Sequence, residues 1–186
     1  MSIFRKKMND EEVMDFIRAQ SPETKIYIGG DSERHKVRGV WYADYAVCAV
    51  VHINGKNGCR VFGEVVREVD YDKNKNAPRM RLMTEVYKIA DLCMRLKDSF
   101  GDRHFEVHLD INGSAMHGSN IVMNEAIGYI RATCNVIPMI KPNSPAASFC
   151  ADKFAEIKQR SAEIKNGQTI RQLSASKLKR RRKYGG

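Results

Sequence analysis

Four carboxylates hold most of the chemistry this 186-residue chain could perform. Asp31 follows the apolar run IYIGG, Asp110 lies within VHLDI, Glu85 sits three residues after Leu82 and four before Ile89, and Asp152 falls in FCADKF. A carboxylate in an apolar strand is costly to bury alone and needs a cation, a proton or a network of donors. At about 100° per residue, Glu85 falls at the border of its helix's apolar stripe, within reach of a sheet edge. Carboxylates that converge on one crevice repel one another, and their oxygens suit Mg²⁺ or Mn²⁺. Two such ions about 4 Å apart activate a water and stabilise the departing oxygen of a phosphodiester. Singly, each residue has a plainer reading. Asp31 fits a turn or cap, Glu85 a partner of Lys88 or Arg81, Asp110 a structural role, and Asp152 an exposed helix position. It is the set that points to a metal site.

Periodicity defines the elements that must position them. Asn9 followed by Glu12 reads as a capping box, and Val13, Phe16 and Ile17 share one face of a helix ending near Ser21-Pro22. KIYIGG reads as a short strand that ends at Asp31. VWYADYAVCAVVHI and CRVFGEVVREV, joined by NGKNG, read as adjacent antiparallel strands. Residues 70–79 form a polar loop. From Met80, the positions Leu82, Val86, Ile89, Cys93 and Leu96 recur at helical spacing. HFEVHLDI returns to strand, NGSAMHGSN is a loop in which Ser119 or Asn120 caps a helix to about Thr133, and NVIPMI is a fifth strand. Pro138 assigns that strand to an edge. A further helix starts at Ser144-Pro145. The order implies a mixed α/β sheet, because the early strands are joined by a hairpin and the later ones by helices. One domain is expected over residues 1–165, with a basic tail over 166–186.

The net charge of +10 is unevenly spread, since residues 171–186 hold seven Lys or Arg and no acid, which leaves +3 for the rest. Such a tail suits salt-sensitive contact with nucleic acid phosphates, or simply solubility. The 42% hydrophobic and 29% charged content is that of a globular chain. GGDS lacks the length and the terminal Lys-Ser/Thr of a phosphate-binding loop, which disfavours that route to nucleotide binding. The five cysteines make no CxxC pair, so a zinc or disulfide framework is not expected. With no apolar run of spanning length and no secretory-type N-terminus, the expected location is the cytoplasm.

The segments IYIGGDSERH, EVHLDINGSAMHGSN and VIPMIKPNSPAASFCADKFA resemble the YkuK-type family of ribonuclease H-like proteins, over roughly residues 9–160. The resemblance implies a mixed five-stranded sheet flanked by helices, its first three strands antiparallel. It also implies acidic site residues at Asp31, Glu85, Asp110 and Asp152. On that reading the protein hydrolyses phosphodiester bonds of RNA or DNA with two Mg²⁺ or Mn²⁺ ions. Asp31 and Asp110 would bind both metals, Glu85 the leaving-group side and Asp152 the water side. Lys141, Arg79 and Arg81 are candidates for backbone phosphates. Ser32, His35 and His117 are near-site candidates, with His117 either a proton shuttle or an ordinary loop histidine. The rival expectation is a non-catalytic module on the same fold that binds nucleic acid or protein.

Overall fold

The computed structural model describes residues 5–6, 8–72, 78–112 and 122–146. Asp152, His117, the domain boundary near residue 165 and the basic tail lie outside the described residues.

The first helix, α1 (Asp10–Arg18), starts where expected, with the Asn9 side chain accepting the Glu12 N–H at 3.5 Å. Its Val13 and Ile17 are fully buried. A two-residue strand, β1 (Arg5–Lys6), precedes it. The five expected strands are β2 (Lys25–Val37), β3 (Val40–His52), β4 (Cys59–Val69), β5 (Phe105–Asn112) and β6 (Met139–Lys141). They form one mixed sheet in the order β4-β3-β2-β5-β6, with β1 added beside β4. The β2–β3 and β3–β4 pairs are antiparallel, whereas β2–β5 and β5–β6 are parallel. The last strand sits at the edge directly after Pro138, as that residue's missing donor requires.

One boundary differs from the sequence reading. The strand expected to stop at Asp31 continues to Val37, so Asp31 lies in mid-strand opposite Ala46. The hairpin closes at Arg38-Gly39, where both residues have positive φ (48° and 87°), the arrangement that matches the twist of paired strands. The polar stretch Ser32–Val37 does not read as strand because it has only β3 beside it and lies past the buried core.

Two more helices cover one sheet face: α2 (Arg79–Leu96) and α3 (Met123–Cys134). Ile26, Ile28, Val47, Ala49, Val107, Leu109 and Ile111 point to that face and meet Leu82, Val86, Ile89 and Cys93 of α2. Gly30 is what allows α2 to lie so close. A Cβ there would stand 2.9 Å from both the Ala46 carbonyl oxygen and Ile89 Cγ1. Among the cysteines, Cys59, Cys93 and Cys134 are free, whereas Cys48 is disulfide-bonded, against the expectation of no disulfide. Cys48 lies on the face of β3 turned away from α2, where its Sγ is 3.6 Å from the Ala146 carbonyl oxygen.

Candidate functional site

The strand that carries Asp31 and the strand that carries Asp110 run side by side only from Ile26 opposite Phe105 to Gly29 opposite His108. Beyond that point β2 continues against β3, while β5 continues beside β6, where Asn112 stands opposite Lys141. Asp31 and Asp110 each lie two residues past the last shared pair, on either side of the split. This is also where the sheet order changes direction, the place where open α/β sheets leave a crevice.

Three carboxylates and one ammonium interact there. Asp31 Oδ1 accepts the Ser32 N–H at 2.8 Å. Burial pushes the Asp31 carboxyl up from its usual range and Asp110 adds to this, while the Ser32 N–H, Lys141 and Arg81 act in the opposite direction. Asp110, only 26% exposed, is ion-paired through Oδ1 to Lys141 Nζ. That pairing raises the Lys141 ammonium, and the charges of Asp31 and Glu85 reinforce it. Glu85 comes up from α2, one turn before the Ile89 that Gly30 admits. Its carboxyl is pushed up to about 8, chiefly by burial and further by Asp31 and Asp110, against the effect of the Ser32 hydroxyl. The three acids therefore feel one another across a poorly solvated region.

The remaining expected residues divide into those brought to this cluster and those turned elsewhere. Ser32 belongs to it, since its hydroxyl hydrogen-bonds to Glu85. Arg81 braces the cluster through one of its amino groups. Its Nη1 donates to the Ser32 carbonyl at 2.8 Å and to Ser32 Oγ at 2.9 Å. Arg79 is turned to α3, with Nη2 2.6 Å from Glu125 Oε2. His35 is four residues past Asp31, stacked on Tyr42 with Nδ1 3.6 Å from Asp44 Oδ2, and does not join the carboxylates. Among the described residues, no three His, Cys, Asp or Glu side chains form a ready metal cage. The expected convergence is thus electrostatic in character, with an ammonium against Asp110 and no closed ligand set.

The donor set still fits a hard divalent ion. Mg²⁺ commonly takes one or two protein carboxylates and completes its shell with water and substrate phosphates. Asp31 and Asp110 supply that number, and Glu85 adds a third carboxyl whose proton is retained chiefly because it is buried.

Two supporting groups escaped the sequence reading. Asp72 accepts the N–H groups of Met80 at 3.1 Å and Arg81 at 2.7 Å, and so caps α2 across the loop. Asp70 pairs with Arg34 Nε at 2.6 Å, and Arg34 Nη2 donates to the Asp72 carbonyl at 2.5 Å. The acids of VDYD just ahead of a helix were the available signal. His108 is fully enclosed on the Asp110 side of β5. Its Nδ1 accepts the Ala146 N–H at 3.0 Å, which leaves Nε2 to donate to Glu106 at 2.9 Å. That histidine ties Ala146, and with it the segment after Lys141, to the strand of Asp110.

Comparison with curated proteins and with solved structures gives no match. A family model described as Ribonuclease H-like matches residues 9–156, which include Asp31, Glu85, Asp110 and Lys141 together with every β-strand from β2 to β6. The chain belongs to the Ribonuclease H-like family.

Proposed function

We propose that the protein is a metal-dependent nuclease that hydrolyses phosphodiester bonds of RNA or DNA, with Asp31, Glu85, Asp110 and Asp152 as the acids that hold Mg²⁺ or Mn²⁺. One observation carries this reading: Asp31 and Asp110 flank the split between β2 and β5, and a buried Glu85 from α2 interacts with both. Bound divalent ions would supply Lewis acidity, with two ions serving the attacking water and the departing oxygen. The side chains do the rest. The Ser32 hydroxyl, braced by Arg81, orients Glu85. Glu85, whose carboxyl burial pushes up to about 8, would have to give up that proton to serve as a metal ligand. Lys141 is 49% exposed, and its ammonium can exchange Asp110 for a substrate phosphate. The narrower affiliation with YkuK-type members rests on the motifs around Asp31, Asp110 and Lys141.

A second reading, a non-catalytic nucleic-acid-binding module, is favoured by the absence of a three-ligand cage among the described residues. A cleavage panel separates the two. Single-stranded, duplex and hybrid substrates are incubated with Mg²⁺ or Mn²⁺ and with wild type, Asp31→Asn or Asp110→Asn. The nuclease reading expects cleavage by wild type that is abolished by chelation and lost in both variants. Binding without metal-dependent cleavage of any substrate would establish the second reading instead.

A further inference from the structure

Beside this site, past the first turn of α2, lies a groove of about 830 Å³ that the proposed hydrolysis does not use. It is large enough for a nucleotide, since small-molecule pockets span roughly 300–1,000 Å³. Tyr42, Tyr45 and Tyr71 line it, together with Met80, and Tyr71 is 70% exposed. These tyrosines come from β3 and from the segment after β4, so no local motif announces them.

The charges on the wall are not balanced. Of its two acids, Glu68 is paired to Lys88 at 2.5 Å and Asp70 to Arg34 at 2.6 Å. Among its guanidinium groups, Arg67 is paired to Asp44 at 2.6 Å. Arg38, at the tip of the β2–β3 hairpin, makes no ion pair among the described residues, and Arg81 spends its Nη1 on the neutral oxygens of Ser32. The buried Nε of Arg81 has no hydrogen-bond partner among the described residues. An aromatic recess with guanidinium groups that make no ion pair among the described residues fits a base and the phosphates next to it. A base can enter only if it is unstacked, and a duplex does not offer one.

We propose that this groove is a base-binding subsite for single-stranded nucleic acid, in which an unstacked base lies on Tyr71 and neighbouring phosphates meet Arg38 and Arg81. The proposal rests on the nucleic-acid reading of the adjoining site and narrows it. Arg81 lines the groove and also braces the Ser32–Glu85 contact, so a strand seated here adjoins the carboxylate cluster through that residue.

The test measures fluorescence anisotropy with the full chain and chelator present, so that no cleavage intervenes. The probes are a labelled single-stranded oligonucleotide, its duplex, and an abasic oligomer of equal length. Alanine in place of a stacking aromatic typically weakens binding by about 5- to 150-fold per base. Tyr71→Ala should therefore weaken single-strand binding by at least fivefold, while Tyr71→Phe stays within twofold of wild type. Wild type and Tyr71→Ala should bind the abasic oligomer equally, and the duplex should bind more weakly than the single strand. Unchanged affinity in Tyr71→Ala, or an equal loss on the abasic oligomer, would overturn the subsite. Metal-dependent cleavage is scored separately on wild type. Its absence alongside the Tyr71 effect removes the hydrolase and leaves the subsite standing, and its presence without the Tyr71 effect does the reverse.

Discussion

Glu85→Gln gives a direct physical check on the carboxylate cluster. Glu85 is 3% exposed, and its carboxyl titrates near 8 when the ordinary value is 4.5. Between those pH values the folded protein holds a proton that the unfolded chain has lost. Stability therefore falls as pH rises through this window, by about 1.4 kcal/mol per pH unit. Below 4.5 both states are protonated and above 8 both are ionised, so the contribution is constant outside the window. By pH 7 the accumulated cost is about 3 kcal/mol. Glutamine keeps the shape and cannot ionise, so the variant should gain that amount over wild type between pH 4.5 and 7. With a urea slope of roughly 1–3 kcal/mol/M, the midpoints should separate by about 1–3 M at pH 7 and converge near pH 4.5. Urea unfolding of both proteins at several pH values reads this directly. Parallel midpoint curves would refute the buried, proton-holding Glu85.

Two further outcomes follow from the framework around the site. Gly30→Ala drives a methyl group into the Ala46 carbonyl and Ile89, and overpacking of this kind costs about 1–3 kcal/mol, visible as a lowered unfolding midpoint. Asp72→Ala removes the acceptor of the Met80 and Arg81 N–H groups and should cost about 1 kcal/mol, with hydrogen exchange in the first turn of α2 accelerated more than at its C-terminal end.

Much of this arrangement is legible in the chain because burial leaves a periodic trace. Asp110 and Asp31 stand out as charges in or beside apolar runs, and Glu85 as a charge on the margin of an apolar stripe. Each is a local contradiction that burial must resolve. Within the glycine pair before Asp31, Gly30 has a steric role, because a Cβ there would meet Ala46 and Ile89. The length of β2 was not legible, because Ser32–Val37 leaves the core and its strand pairing is fixed by β3 alone. The partners of Arg81 and Arg79 were not legible for a different reason. An arginine near a helix start gives no local sign of whether its partner will be a ligand, Ser32 on a strand or Glu125 on another helix. The Arg34, Asp70 and Asp72 clamp and the tyrosine groove are likewise products of tertiary approach, which spacing does not encode.

On the proposed function, Asp31 and Asp110, at the split between β2 and β5, hold a divalent cation. Electron paramagnetic resonance titration of Mn²⁺, with a single-stranded oligonucleotide present to offer phosphate oxygens, tests it most directly. Wild type should deplete the free-Mn²⁺ signal, while Asp31→Asn and Asp110→Asn should leave it close to that of oligonucleotide alone. Variants that sequester Mn²⁺ as well as wild type would contradict the claim.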